Sequence, residues 1–196
     1  MALRNCPSCS FMKSYFFVVL LAAFTVRFFP SYSAALNFLA TFGIPTFLYK
    51  KSPYELGYRN YLRGFLWGVS ASATLLPLYA LACVELFGAP FHLGTVSFSL
   101  FLFYLMVAVG EETFFRGFFY SSFENEWIVK GVLSKNNLVS SVLFGAAHAL
   151  VYYDPTMFKV FFPSLVMGWL YERSDSLIAP IIFHLCADLL YLFVRC

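Results

Sequence analysis

The sequence predicts an all-α fold, a polytopic transmembrane helical bundle of about seven spans, with six or eight as alternatives. Three observations carry this. The 196-residue chain is 61% hydrophobic and only 12% charged, whereas a soluble domain is about half apolar and about a quarter charged. Aromatic residues supply 21% of it, including 26 Phe and 13 Tyr. Apolar stretches approaching membrane-crossing length recur throughout. Too few polar residues remain to cover a water-facing surface. The composition therefore argues against a water-soluble enzyme and rules out disorder, collagen and coiled coil. Residues 1–196 read as a single integral membrane domain.

The first span is Ser14–Phe29. Arg4 and Lys13 precede it as in a signal peptide, but Arg27 interrupts its end and no small-residue cleavage site follows, so an uncleaved span is expected. The second is Ser33–Tyr49 and the third Leu62–Leu86. The fourth, Thr95–Ser122, is apolar except for Glu111, Glu112 and Arg116. The fifth is Leu138–Tyr153, the sixth Thr156–Tyr171, interrupted by Pro163, and the seventh Leu177–Val194. The second, fifth and sixth are short enough to be tilted or re-entrant. The segment Tyr49–Leu62 interleaves basic and aromatic residues, which suits an interfacial helix on anionic lipid or a basic loop.

Charge placement orients the bundle. With the N-terminus in the cytoplasm, the cytoplasmic segments hold Arg4, Lys13, Lys50, Lys51, Arg59, Arg63, Lys130, Lys135 and Arg173. The other side receives Arg27, Lys159 and Arg195. That bias is the expected sign for an N-inside, C-outside protein. A net charge of +3, without a long basic run or a Gly-rich phosphate loop, gives no reason to expect a nucleic-acid partner. The bilayer is the partner the composition implies. Five cysteines are an odd count for a disulfide framework, and Cys6-x-x-Cys9 lacks the second pair that a zinc site needs.

Ionisable groups inside a span cost several kcal/mol, so they mark function by default. Three clusters occur here: Glu111, Glu112 and Arg116 in the fourth span, Phe144 and His148 in the fifth, His184 and Asp188 in the seventh. Helix rise places Glu111, His148 and His184 roughly 17, 15 and 11 Å from the cytoplasmic edge. Three helices of alternating direction thus bring polar groups to similar depth, which points to one shared polar cavity. Glu112 and Arg116 are spaced i,i+4 and share a helix face, so they neutralise each other. Glu111 is rotated by about 100° from Glu112 and is free to take a proton from water. His148 is placed to share that water. A neutral His184 can donate to a developing oxyanion, with Asp188, also i,i+4, orienting its ring or binding substrate.

The motifs E-E-x-x-x-R at Glu111, Glu112 and Arg116, F-x-x-x-H at Phe144 and His148, and H-x-x-x-D at His184 and Asp188 resemble the CAAX protease and bacteriocin-processing family of intramembrane glutamate proteases. The family includes the prenyl-protein endopeptidase of the Ras-converting type. The resemblance implies a catalytic core over residues 95–194, needing no cofactor or metal. It implies that Glu111 and His148 activate the attacking water, that His184 and Asp188 serve oxyanion stabilisation and site support, and that Glu112 and Arg116 support Glu111. The prenyl-protein branch carries Asn at the last position, where this chain has Asp188. An ionised Asp would repel an oxyanion, so Asp188 must be protonated or must orient His184. This departure weighs against a prenyl-protein substrate. Small size and short loops resemble compact bacterial members, which implies the cytoplasmic membrane. The implied substrate is a membrane-anchored protein with a C-terminal sorting signal or a lipidated Cys, cleaved near its C-terminus.

Two rival readings remain at this stage. Glu111, His148, His184 and Asp188 could instead hold zinc for a metal-dependent protease, although no H-E-x-x-H is present. A membrane scaffold, immunity protein or small transporter would use the same buried groups without hydrolysis.

Overall fold

A computed structural model describes residues 6–92 and 94–195. Among the described residues seven α-helices form the bundle. They are α1 (Pro7–Phe28), α2 (Pro30–Gly43), α3 (Tyr61–Phe87), α4 (Phe98–Glu112), α5 (Lys135–Tyr152), α6 (Phe161–Ser174) and α7 (Ile178–Tyr191). Each expected span meets one of them, with ends shifted by a few residues. α2 continues into a π-helical turn, Ile44–Leu48, and α4 into another, Thr113–Phe118. The expected sixth span begins as a 3-10 turn, Pro155–Val160, before α6. By length and apolarity alone, Pro7–Phe28, Tyr61–Phe87 and Phe98–Phe118 are sufficient to cross a membrane. Two short strands, β1 (Trp127–Val129) and β2 (Leu133–Ser134), pair antiparallel before α5.

The outward faces are apolar. Leu20, Leu39, Leu78 and Leu86 are each more than 60% exposed, which suits hydrocarbon and not water. The inside is aromatic. Phe11 at the start of α1 is fully buried and packs on Phe114, Phe118 and Phe119 at ring separations of 5.1, 5.6 and 4.9 Å. That cluster ties the N-terminus of α1 to the π-helical turn after α4.

Without a hydrophobic drive between helices in lipid, close approach depends on small residues. α3 packs along α7 at Gly68, where a β-carbon would lie 2.9 Å from the Ala179 carbonyl oxygen and 2.9 Å from Ile182 Cβ. Gly68→Val is expected to push the two helices apart and cost about 1–3 kcal/mol, read as a lower unfolding midpoint in detergent.

One end of the bundle collects the basic loops. Residues 50–60 form turns rather than an interfacial helix. Leu56 of this loop is fully buried, and Gly57 O accepts from Leu177 N at 2.8 Å. Arg59 pairs with Asp175 at 2.5 Å, Arg63 donates to Arg173 O at 2.5 Å, and Arg173 donates to Gly131 O. At the other end, Phe91 bridges Val194 and His92 N donates to Phe193 O at 2.8 Å. Cys83 in the last turns of α3 is disulfide-bonded, which the odd cysteine count did not suggest.

Candidate active site

The three polar clusters meet. α4 supplies Glu111 and Glu112 at its C-terminal end, and the π-helical turn that follows supplies Arg116. Such wide turns are frequent at functional sites. Glu112 and Arg116 are both fully buried, and Arg116 Nη1 donates to Glu112 Oε1 at 2.8 Å. The other guanidinium nitrogen donates to Ser164 O at 3.0 Å and to Ser164 Oγ at 2.5 Å on α6. The guanidinium also lies 5.0 Å above the Phe144 ring. A buried charge needs this degree of partnering.

Two imidazoles are oriented by their Nδ1 atoms. His148 Nδ1 lies 3.0 Å from the Phe144 carbonyl oxygen. A carbonyl only accepts, so Nδ1 carries the proton and Nε2 faces the cavity. His184 Nδ1 lies 2.8 Å from Glu112 Oε1, the oxygen that also receives Arg116. A paired carboxylate accepts, so this Nδ1 is a donor as well.

Both Nε2 atoms converge on Glu111. Glu111 Oε2 is 4.0 Å from His148 Nε2 and 3.8 Å from His184 Nε2. It is buried and has no hydrogen-bond partner among the described residues. Those separations are too long for direct hydrogen bonds and suit one bridging water. Asp188 Oδ2 lies 3.6 Å from His184 Nε2. Among the described residues no group of three or more His, Cys, Asp or Glu side chains is arranged to hold a metal ion.

Glu111, His148, His184 and Asp188 line a cavity of about 910 Å³. Its walls are mostly apolar and aromatic, with Tyr79, Tyr104, Tyr152 and Tyr191 among them. That volume accommodates a short stretch of extended peptide rather than a single side chain.

A family model described as "Type II CAAX prenyl endopeptidase Rce1-like" matches residues 93–190. The chain belongs to this family. It is accordingly an integral membrane endopeptidase of the CAAX protease type, acting on membrane-associated proteins. The match begins just before α4 and runs into the last turn of α7, so it spans every residue of the site. No curated protein and no solved structure matches the chain at a significant level.

In this CAAX protease the sequence motifs name the charged groups but understate Phe144. That ring is 2% exposed. It stands 4.4 Å from the His148 ring and 5.8 Å, edge-on, from the His184 ring, with Arg116 above it. Phe144→Leu is expected to keep the fold and lower kcat by about 10- to 100-fold, with KM little changed, because misplacement of reacting groups by an ångström costs about that much. Ser164 and Tyr152 belong to no sequence motif. A serine in an apolar helix gives no motif, and only the fold shows that Ser164 faces Arg116.

Proposed function

We propose that this protein is an intramembrane glutamate protease that cleaves membrane-anchored proteins near their C-termini. The observation that carries the reading is the convergence of His148 Nε2 and His184 Nε2 on Glu111 Oε2, which has no hydrogen-bond partner among the described residues. A water held there gives one hydrogen to Glu111 and the other to the lone pair of His148 Nε2. Glu111 takes the first proton as the oxygen attacks the scissile carbonyl. His184, as the imidazolium, donates from Nδ1 to Glu112 and from Nε2 to the oxyanion. The proton on Glu111 then passes to the leaving amine as the C–N bond breaks. Asp188 holds His184 Nε2 in place between turnovers, which answers how an acidic group can stand where an oxyanion forms.

The Glu112–Arg116 pair and Phe144 fix this arrangement and touch no substrate. Substrates of this class carry a C-terminal sorting signal or a lipidated Cys. The charge bias of the loops supports a cytoplasmic N-terminus in the cytoplasmic membrane. The test uses C-terminal peptide profiling of membranes from cells producing wild type or Glu111→Gln. New protein C-termini seen only with wild type support an endopeptidase, whereas identical profiles contradict it. Activity that survives thorough chelation supports hydrolysis by a metal-free water. Loss on chelation that zinc restores assigns the water to a metal.

A further inference from the structure

We infer that the cavity opens on the non-cytoplasmic side of the membrane, so that its substrates are translocated polypeptides tethered in the outer leaflet. The inference deepens the endopeptidase reading above and rests on it for the word substrate. Two features carry it independently of any mechanism.

The first is where the cavity lies along the helices. Its walls come from the last turns of α1, from α2, the C-terminal half of α3, α4 as far as Glu111, the last turns of α5, the Pro155–Val160 turn, the first half of α6 and the C-terminal half of α7. Tyr79, Phe103 and Tyr191 represent α3, α4 and α7, and Met157 and Lys159 the turn. Most of these segments lie toward the end where Phe91 bridges Val194. Among the described residues the loops of the opposite end contribute no wall residue: Leu56 instead closes that end, with its carbonyl oxygen 2.8 Å from where a β-carbon on Gly117 would stand.

The second feature is charge. The closed end carries Lys13, Lys50, Lys51, Arg59, Arg63, Lys130, Lys135 and Arg173. Among the described residues the open end carries Arg27, Lys159 and Arg195. Lys and Arg in short loops mark the cytoplasmic side. The cavity mouth is therefore at the side reached only after translocation. A cytosolic protein with a modified C-terminus would meet the closed end. A secreted or surface protein held by a C-terminal hydrophobic segment or lipid meets the open one.

Labelling of single cysteines tests this in intact cells. In a chain with Cys6, Cys9 and Cys186 replaced by Ser, Met157→Cys places a thiol in the cavity wall and Glu124→Cys places one at the exposed closed end. A membrane-impermeant maleimide should label Met157→Cys in intact cells and Glu124→Cys only after permeabilisation. The adduct at Met157→Cys should also suppress the wild-type C-terminal products. Labelling of Glu124→Cys in intact cells overturns the inference, and so does protection of Met157→Cys until permeabilisation. The labelling pattern is indifferent to catalysis. If Glu111→Gln labels as wild type and still cleaves at the wild-type rate, the chemistry fails while the sidedness stands.

Discussion

Glu111→Gln is expected to slow peptide cleavage by about 10²- to 10⁴-fold, the contribution of a positioned general base, while leaving the folded protein intact. The separation of the two effects follows from the local structure. Glu111 Oε2 has no hydrogen-bond partner among the described residues, so an amide in its place orphans nothing. The amide keeps the shape and loses the ability to take a proton. The effect should fall on kcat, because the cavity walls that bind the peptide are unchanged. Purified variant in liposomes, assayed on a substrate found by the C-terminal profiling, measures the rate. Thermal unfolding in detergent measures the fold. A Gln variant that is folded and cleaves within threefold of wild type would remove Glu111 from the mechanism.

Arg116→Met is expected to do the opposite and strike the fold first. Arg116 is fully buried and donates to Glu112 Oε1 and to both oxygens of Ser164, with its guanidinium over the face of Phe144. Removing it leaves the buried Glu112 carboxylate with His184 alone, and breaking such a pair costs about 3–5 kcal/mol. The unfolding midpoint should drop accordingly. Adding Glu112→Gln removes the stranded charge and should restore much of the stability. Activity should stay low in the double variant, because His184 then lacks an ionised partner at Nδ1. A single Arg116→Met variant as stable as wild type would contradict this account of the core.

The charged residues of the site were legible in the sequence for a physical reason. In a chain this apolar, a carboxylate or imidazole inside a span stands out, and i,i+4 spacing gives its neighbour on the same face. Glu112 with Arg116, and His184 with Asp188, were readable in this way. The contact between His184 and Glu112 was not, since it joins residues far apart in sequence. The π-helical turn at Thr113–Phe118 is also hidden in the sequence: its residues suit an ordinary helix, and only the fold shows the wide turn packed against Phe11 and Leu56. Helix ends were approximate because the flanking residues, such as Tyr49, Phe29 and Val194, are as apolar as the spans. The sequence at 50–60 suits an interfacial helix or a basic loop equally, and the burial of Leu56 decides it as a packed loop. The 127–134 ribbon leaves no mark in the sequence, because strands of three and two residues carry no periodicity.

The most direct test of a water shared by Glu111 and His148 is a double-mutant cycle on kcat with Glu111→Gln, His148→Ala and the combination. Groups acting as a unit on one water are strongly non-additive. The account predicts that the double variant is no slower than the slower single variant. Losses that multiply, with the double variant slower by the product of the two single effects, would mean that the two side chains act on separate steps and would contradict it.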